Sequence, residues 1–364
     1  MSGPLRLQLH QARVSARTTW WVAALTDTDG RTGLGESSDA GPGARRVWAR
    51  VDASLRAGVP AEEVLSRLHE VTSPELARLT VHGALEQALT DLRARQAGVP
   101  LWQALGASEP RPVHRYANIN RALRTRTPQE FAEVAAAAEA AGFRAVKCAP
   151  FDGLPPEHRL REGLGRARAA RRALRPNTAL MVDVHLLLSV DEVLAAAHEL
   201  RALELRWLED AVDLDDPAGL AAVHAAGIAP LAGGEFAAAP EQVRAALRSG
   251  QVDWLLPDVK HSGGLAAARQ LADEAGRAGA QVSLHNPSGP VGTAAGLHLA
   301  VACGPDAETE SAFGETPWRG GGVTPAEPSR GAWLTPPGTV GLGVDLAPQH
   351  WRPVPLHQPD GALA

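Results

Sequence analysis

Between residues 113 and 313 the sequence repeats one grammar: short apolar runs alternate with alanine-rich amphipathic segments. The runs are VHRYANIN (113–120), FRAVKCAP (143–150), ALMVDVH (179–185), LRWLED (205–210), PLAGGE (230–235), DWLLPDVK (253–260), AQVSLHN (280–286) and TESAF (309–313). Segments such as PQEFAEVAAAAEAAG, SVDEVLAAAHELRA and GGLAAARQLADEAGRAG lie between them and carry apolar residues at helical spacing. Eight strands, each followed by a helix or loop, predict a closed parallel (β/α) barrel.

Seven of these runs end on ionisable residues: Lys147, Asp183 with His185, Glu209, Glu235, Asp258 with Lys260, His285, and Glu310. Successive positions lie about 23 to 36 residues apart, roughly one βα unit each. In a barrel such strand ends form one ring around a common mouth. A single strand can end on a polar residue simply because it nears solvent. Seven in succession need a shared site. The lysines sharpen this, because Lys147 and Lys260 are the only two among 36 basic residues.

Asp183, Glu209 and Glu235 come from three consecutive runs. Three carboxylates without a cysteine partner are hard oxygen ligands and predict Mg2+, with Mn2+ as the substitute. Packed together without a cation they would repel strongly. Asp258 and His285 lie on neighbouring runs. A carboxylate bonded to one imidazole nitrogen fixes the tautomer and raises the basicity of the other. His198 and His224 fall in helical patterns and read as surface residues.

The first hundred residues form a different unit. TTWWVAALTDTDGRTGLGE (18–36) is a hairpin signature, with a DTDG turn between two apolar runs. Helical patterns follow from Gly43. The predicted organisation is an N-terminal α+β capping domain (1–108), the barrel (109–320) and a Gly/Pro-rich segment (321–364) that packs back on the capping domain. Net charge of -5 offers no basic field for nucleic acid. Two distant cysteines exclude a disulfide framework and suit a reducing, cytoplasmic setting. The first residues, MSGPLRLQLHQARV, have no apolar core of signal length, and no run is long enough to span a membrane.

In this order the motifs resemble those of the enolase superfamily, in its mandelate racemase subgroup. TDTDGRTGLGE is similar to the capping hairpin and ALEQALTDLRARQAGVPLWQALG to its helix. AVK, VDVH, WLED, GGE, PDVKHSGG, HNPSGPVGTAA and ESAFGE match the barrel motifs in register. The resemblance implies metal-assisted removal of a proton next to a carboxylate. Mg2+ would sit on Asp183, Glu209 and Glu235, His285 paired with Asp258 would be the base, Lys147 would stabilise the developing oxyanion, and Glu310 would hydrogen-bond the substrate carboxylate.

The chain departs from the family pattern in places. The second-strand KxK is here Lys147-Cys148-Ala149, so the second lysine is missing. His185, two residues after Asp183 and on the same strand face, resembles the acid of acid-sugar dehydratases, although HLLLS follows it rather than His-Gly-Arg. The fourth motif is Glu-Asp-Ala. Lys260, Asn286 and Trp20 are placed at the substrate, Lys260 in a supporting electrostatic role. Arg13 and Arg17 offer charges for a carboxylate or phosphate but read first as surface residues. The loops at 11–18 and 37–43 are candidates to close the mouth.

The expected activity is a Mg2+-dependent lyase dehydrating a small hydroxy carboxylate. Its rivals are an epimerase, racemase or lactone cycloisomerase sharing the same first step, a Schiff-base enzyme using Lys147, and a non-catalytic binding barrel. A homo-oligomer is expected.

Overall fold

The computed structural model describes residues 4–69 and 76–356. Eight parallel strands close into a barrel: β4 (Val113–Asn118), β5 (Ala145–Cys148), β6 (Ala179–Asp183), β7 (Leu205–Glu209), β8 (Leu231–Gly233), β9 (Trp254–Leu255), β10 (Gln281–Leu284) and β11 (Glu308–Ala312). Each pairs with the next, and β11 returns to β4, Glu310 opposite Tyr116. All eight runs expected from the sequence form strands, most of them shorter than expected. The helices between them are α5 (Pro128–Ala140), α6 (Pro156–Ala173), α7 (Val190–Ala195), α8 (Ala197–Arg201), α9 (Pro217–Ala225), α10 (Pro240–Arg248), α11 (Leu265–Ala278) and α12 (Pro290–Cys303).

Two cores follow from the pleat, which sends alternate side chains to opposite faces. Outward residues such as Val146, Val182, Leu208 and Leu255 pack under the helices. Inward residues Tyr116, Ala145, Met181, Trp207, Ala232 and Leu256 plug the barrel interior. Tyr116 and Trp207 meet edge-to-face at 5.4 Å, and Trp207 packs on Trp254 at 5.0 Å. This aromatic floor confines polar chemistry to the C-terminal mouth.

The N-terminal unit contains β1 (Arg6–Arg13), β2 (Thr19–Thr26), β3 (Thr32–Glu36), α1 (Ala44–Arg56), α2 (Ala61–His69), α3 (Leu76–Ala97) and the short α4 (Leu101–Ala104). The expected hairpin is β2–β3. Strand β1 was not expected, although Leu7 and Leu9 alternate with exposed or part-buried neighbours in it. After the barrel come β12 (Val323–Thr324), β13 (Trp333–Leu334), β14 (Asp345–Leu346) and β15 (Arg352–Val354). β15 adds to β1, giving the sheet order β15-β1-β2-β3.

The two units are joined by close backbone approach and buried acids. A Cβ on Gly83 of α3 would lie 2.5 Å from the Lys260 carbonyl oxygen, so α3 meets the barrel segment after β9 only through glycine. The buried Glu36 carboxylate accepts the Gly289 and Gly292 N–H groups at 2.6 and 2.7 Å. It thereby satisfies orphan donors at the start of α12, beside the barrel mouth. Gln87 of α3 donates to the Val259 carbonyl at 2.8 Å.

Candidate active site

Each site residue stands at or just beyond a strand end. Lys147 lies in β5, while Asp183 and Glu209 close β6 and β7. Glu235 follows β8, and Glu310 lies within β11. Asp258 follows β9 and His285 follows β10; the two form an isolated parallel bridge. Asp183, Glu209 and Glu235 each offer a carboxylate oxygen, and these oxygens lie within 4.8 Å of one another.

Lys147, fully buried, provides a local counter-charge. Its Nζ is 2.5 Å from Glu209, 3.0 Å from Glu310 and 4.0 Å from Asp183. It also lies 5.9 Å from the centre of the Tyr116 ring. Burial would lower the ammonium, but the Glu209 and Glu310 carboxylates hold it well above its ordinary value. A lysine whose ammonium form is favoured in this way is poorly suited to Schiff-base attack. Burial pushes the Glu209 carboxyl up to about 8, the Lys147 ammonium pulling against it. Burial would also raise Glu235, but the His285 charge overrides it and holds the group at about 2.

The residues present fit a hard divalent cation. Asp183, Glu209 and Glu235 converge as hard oxygen donors, facing the positive groups of His185, Lys147 and His285 respectively. Glu235 Oε2 is buried and has no hydrogen-bond donor; His285 Nε2 approaches it at 3.0 Å as an ion pair without hydrogen-bond geometry. Asp258, His261 and His285 form a second group of similar spacing. There, however, Lys260 Nζ already sits 3.0 and 2.8 Å from the two Asp258 oxygens and leaves no net negative charge for a metal.

His285 Nδ1 hydrogen-bonds Asp258 Oδ2 at 2.8 Å, and the residue lines the cavity. Burial would lower its pKa; Glu235, Glu310 and the Asp258 hydrogen bond raise it well above the usual histidine range. His185 approaches from the other side, since β6 and β10 lie four strands apart in an eight-stranded ring. The expectation that His185 shares a strand face with Asp183 is corrected by the structure. β6 ends at Asp183 because that carboxylate captures the His185 N–H at 3.0 Å, and His185 (φ 50°) turns back. Its Nε2 reaches Asp183 Oδ2 at 2.7 Å and its Nδ1 reaches Asp152 at 2.8 Å. Burial would lower this imidazole; the charges of Asp183 and Asp152 lift it to about 12.

Three substrate contacts expected from the sequence are placed elsewhere. Trp20 is fully buried, edge-on to Trp318 at 5.3 Å, in the core behind the mouth. Lys260 is fully buried and turned onto Asp258. Asn286 donates its backbone N–H to Glu310 at 2.9 Å and its amide to Thr293 at 2.7 Å. Asn286 thus positions Glu310, which also accepts from the Asn118 amide at 2.6 Å. As an ionised carboxylate Glu310 is an acceptor, and hydrogen bonding to a substrate carboxylate from here requires its protonated form.

The mouth opens into a cavity of about 690 Å³ lined by Asp183, Glu235, His185 and His285 at one end. That volume suits a small organic acid. The other walls include Val14–Thr18 and Asp39 from the two expected closing loops, and Arg121, Arg124 and Arg126 from the loop after β4. Arg17, read from sequence as a surface residue, lines this cavity, whereas Arg13 does not. Phe236 stacks on His261 at 5.2 Å along the same wall. The loop arginines, Asp152 and Asn118 were not singled out in sequence, because nothing marks a residue of a β–α loop as facing a cavity. His198 and His224 are exposed.

The three buried carboxylates beside an Asp–His pair at the barrel mouth make a group suited to a divalent metal ion. Residues 130–350 match the family described as Enolase C-terminal domain-like, and residues 4–106 match the Mandelate racemase / muconate lactonizing enzyme N-terminal domain. The chain belongs to the enolase superfamily, in its mandelate racemase/muconate lactonizing enzyme subgroup. It is 30% identical over 261 residues to the 3,6-anhydro-alpha-L-galactonate cycloisomerase of Streptomyces coelicolor, covering 68% of this chain and 69% of that protein. It is 27% identical over 297 residues to a D-mannonate dehydratase of Caulobacter sp. (strain K31), covering 74% and 72%. The crystal structure of a mandelate racemase/muconate lactonizing enzyme from Jannaschia sp. CCS1 superposes with a TM-score of 0.80 at 25% identity, covering 95% of this chain and 97% of that one. No helix among the described residues is long and apolar enough to cross a membrane.

Proposed function

We propose that the protein removes the α-proton of a hydroxy carboxylate and then expels the β-hydroxyl, as an acid-sugar dehydratase. One observation carries this reading. Three buried carboxylates converge within 4.8 Å, and the His285–Asp258 pair, bonded at 2.8 Å, opens into the same cavity. A divalent cation held by Asp183, Glu209 and Glu235 would supply Lewis-acid stabilisation of the negative charge that builds on the substrate carboxylate.

The chain's own residues supply the rest. In its neutral form His285 Nε2 takes the α-proton, and Asp258 fixes the tautomer and steadies the imidazolium that forms. Lys147 presents a fixed positive charge where the oxyanion develops, an interaction typically worth about 3 kcal/mol. His185, across the barrel, gives its proton to the departing hydroxyl, which leaves as water. The resulting enol becomes a 2-keto acid. Asp152 holds His185 in place.

Cycloisomerisation is the second reading, favoured by the 30% identity to a cycloisomerase. It shares the proton abstraction and differs in the group expelled. Incubation with Mg2+ and a panel of sugar acids in D2O separates the readings. Dehydration gives a 2-keto acid with loss of water; cycloisomerisation gives a product of unchanged composition. Inertness of every acid, with no deuterium entering any of them, would overturn both.

A further inference from the structure

The cavity wall formed by the loops before β2 and after β4 has a charge problem of its own. Arg17, Arg124 and Arg126 all line it. Arg17 and Arg124 are exposed and have no carboxylate within ion-pair distance among the described residues. The buried Nε of Arg126 has no hydrogen-bond partner. Two of the three acids on that side are committed to Arg121, and Asp152 divides its two oxygens between His185 and Arg126. Asp39 lies 2.7 Å and Glu315 3.6 Å from Arg121, and Asp152 lies 2.8 Å from His185 against 3.5 Å from Arg126.

The loop that carries two of these arginines is fixed. The Glu130 carboxylate accepts the N–H groups of Arg124, Thr125 and Arg126 at 2.8, 2.9 and 2.6 Å. Arg126 is held at φ 54°, a left-handed conformation that a non-glycine residue adopts at a cost. A rigid loop that gathers like charges around a cavity costs stability unless an anion enters. Guanidinium groups match carboxylate and phosphate oxygens in shape as well as charge.

We infer that this wall is an anion subsite, and that the substrate carries a second anionic group, a terminal carboxylate or a phosphate, besides the carboxylate held beside Asp183, Glu209 and Glu235. This rests on the reading of the cavity as a hydroxy-acid site and narrows its substrate to dianions.

The test uses matched pairs with Mg2+ present: galactonate against galactarate, gluconate against glucarate, and gluconate against 6-phosphogluconate. Calorimetry reads binding, and 2-keto acid formation reads turnover. The expected result is that a dianion binds at least about tenfold tighter than its partner, with the advantage shrinking as salt rises. In Arg17→Gln/Arg124→Gln that ratio falls towards one. Arg13→Gln, outside the cavity, leaves ratio and turnover unchanged. Preference for galactarate and glucarate assigns the subsite to a carboxylate; preference for 6-phosphogluconate assigns it to a phosphate. Equal affinities within every pair, or a preference that survives the double variant, overturn the inference. Turnover of monoanions as fast as dianions overturns it while leaving the dehydratase reading standing. Tight, arginine-dependent dianion binding without turnover of any acid supports the subsite and defeats the dehydratase.

Discussion

Asp258 shows how much one side chain can hold in this site. It bonds His285 at 2.8 Å and Lys260 at 3.0 and 2.8 Å, and all three side chains are buried. Burial would raise its carboxyl, but Lys260 and His261 hold it well below the usual range. Asp258→Asn should lower kcat by about 100-fold or more, because the imidazole loses its anchor. It should also cost about 3 kcal/mol of stability, because Lys260 is left buried and unpaired. In Asp258→Asn/Lys260→Met, denaturant unfolding should show stability recovered while assays show activity still absent. Recovery of activity would mean that Asp258 serves only to neutralise Lys260. The ring of ionisable strand ends was legible in sequence because barrel topology sends every strand end to one place. The inward turn of Lys260 was not, because strand β9 stops at Leu255 and the direction of the following residues is set by hydrogen bonds to Asp258.

At the scale of elements, the site depends on the seam between hairpin and barrel. Glu36 closes β3 and receives two N–H groups from the start of α12, the segment that follows His285. Glu36→Ala leaves those buried donors without a partner and should cost about 2 to 4 kcal/mol. Chemical denaturation should show that loss, and activity should fall with it, because the turn after His285 loses its anchor. Gly83→Ala should be at least as damaging, since the added Cβ would meet the Lys260 carbonyl at 2.5 Å and α3 would have to move off the barrel. A Gly83→Ala protein with unchanged melting temperature would contradict the seam. The hairpin was legible from its turn and its apolar alternation. Strand β1 carries the same alternation only at Leu7 and Leu9, and it is a strand mainly because β2 and β15 flank it. Pairing partners so far apart in sequence leave no local mark.

Across the whole molecule, one histidine ties three parts together. His298 of α12 is buried; Nδ1 accepts the Trp102 N–H at 3.0 Å and Nε2 donates to the Leu342 carbonyl at 3.1 Å. Burial lowers it from 6.5 to about 4. The unfolded chain therefore binds this proton more readily than the folded one. Its contribution to stability is whole above pH 6.5 and is lost as pH falls towards 4. Between pH 7 and pH 5 this group alone should cost the wild type about 2 kcal/mol. In His298→Gln that part of the acid slope should vanish from urea unfolding curves. An unchanged slope would place the acid sensitivity elsewhere.

The central claim is that Asp183, Glu209 and Glu235 hold one divalent cation beside His285. Anomalous diffraction from crystals grown with Mn2+ tests it most directly. The account predicts one strong peak with an oxygen of each of the three carboxylates at about 2.1 Å. A peak bound instead by Asp258, His261 and His285, or no peak within reach of the three carboxylates, would contradict it.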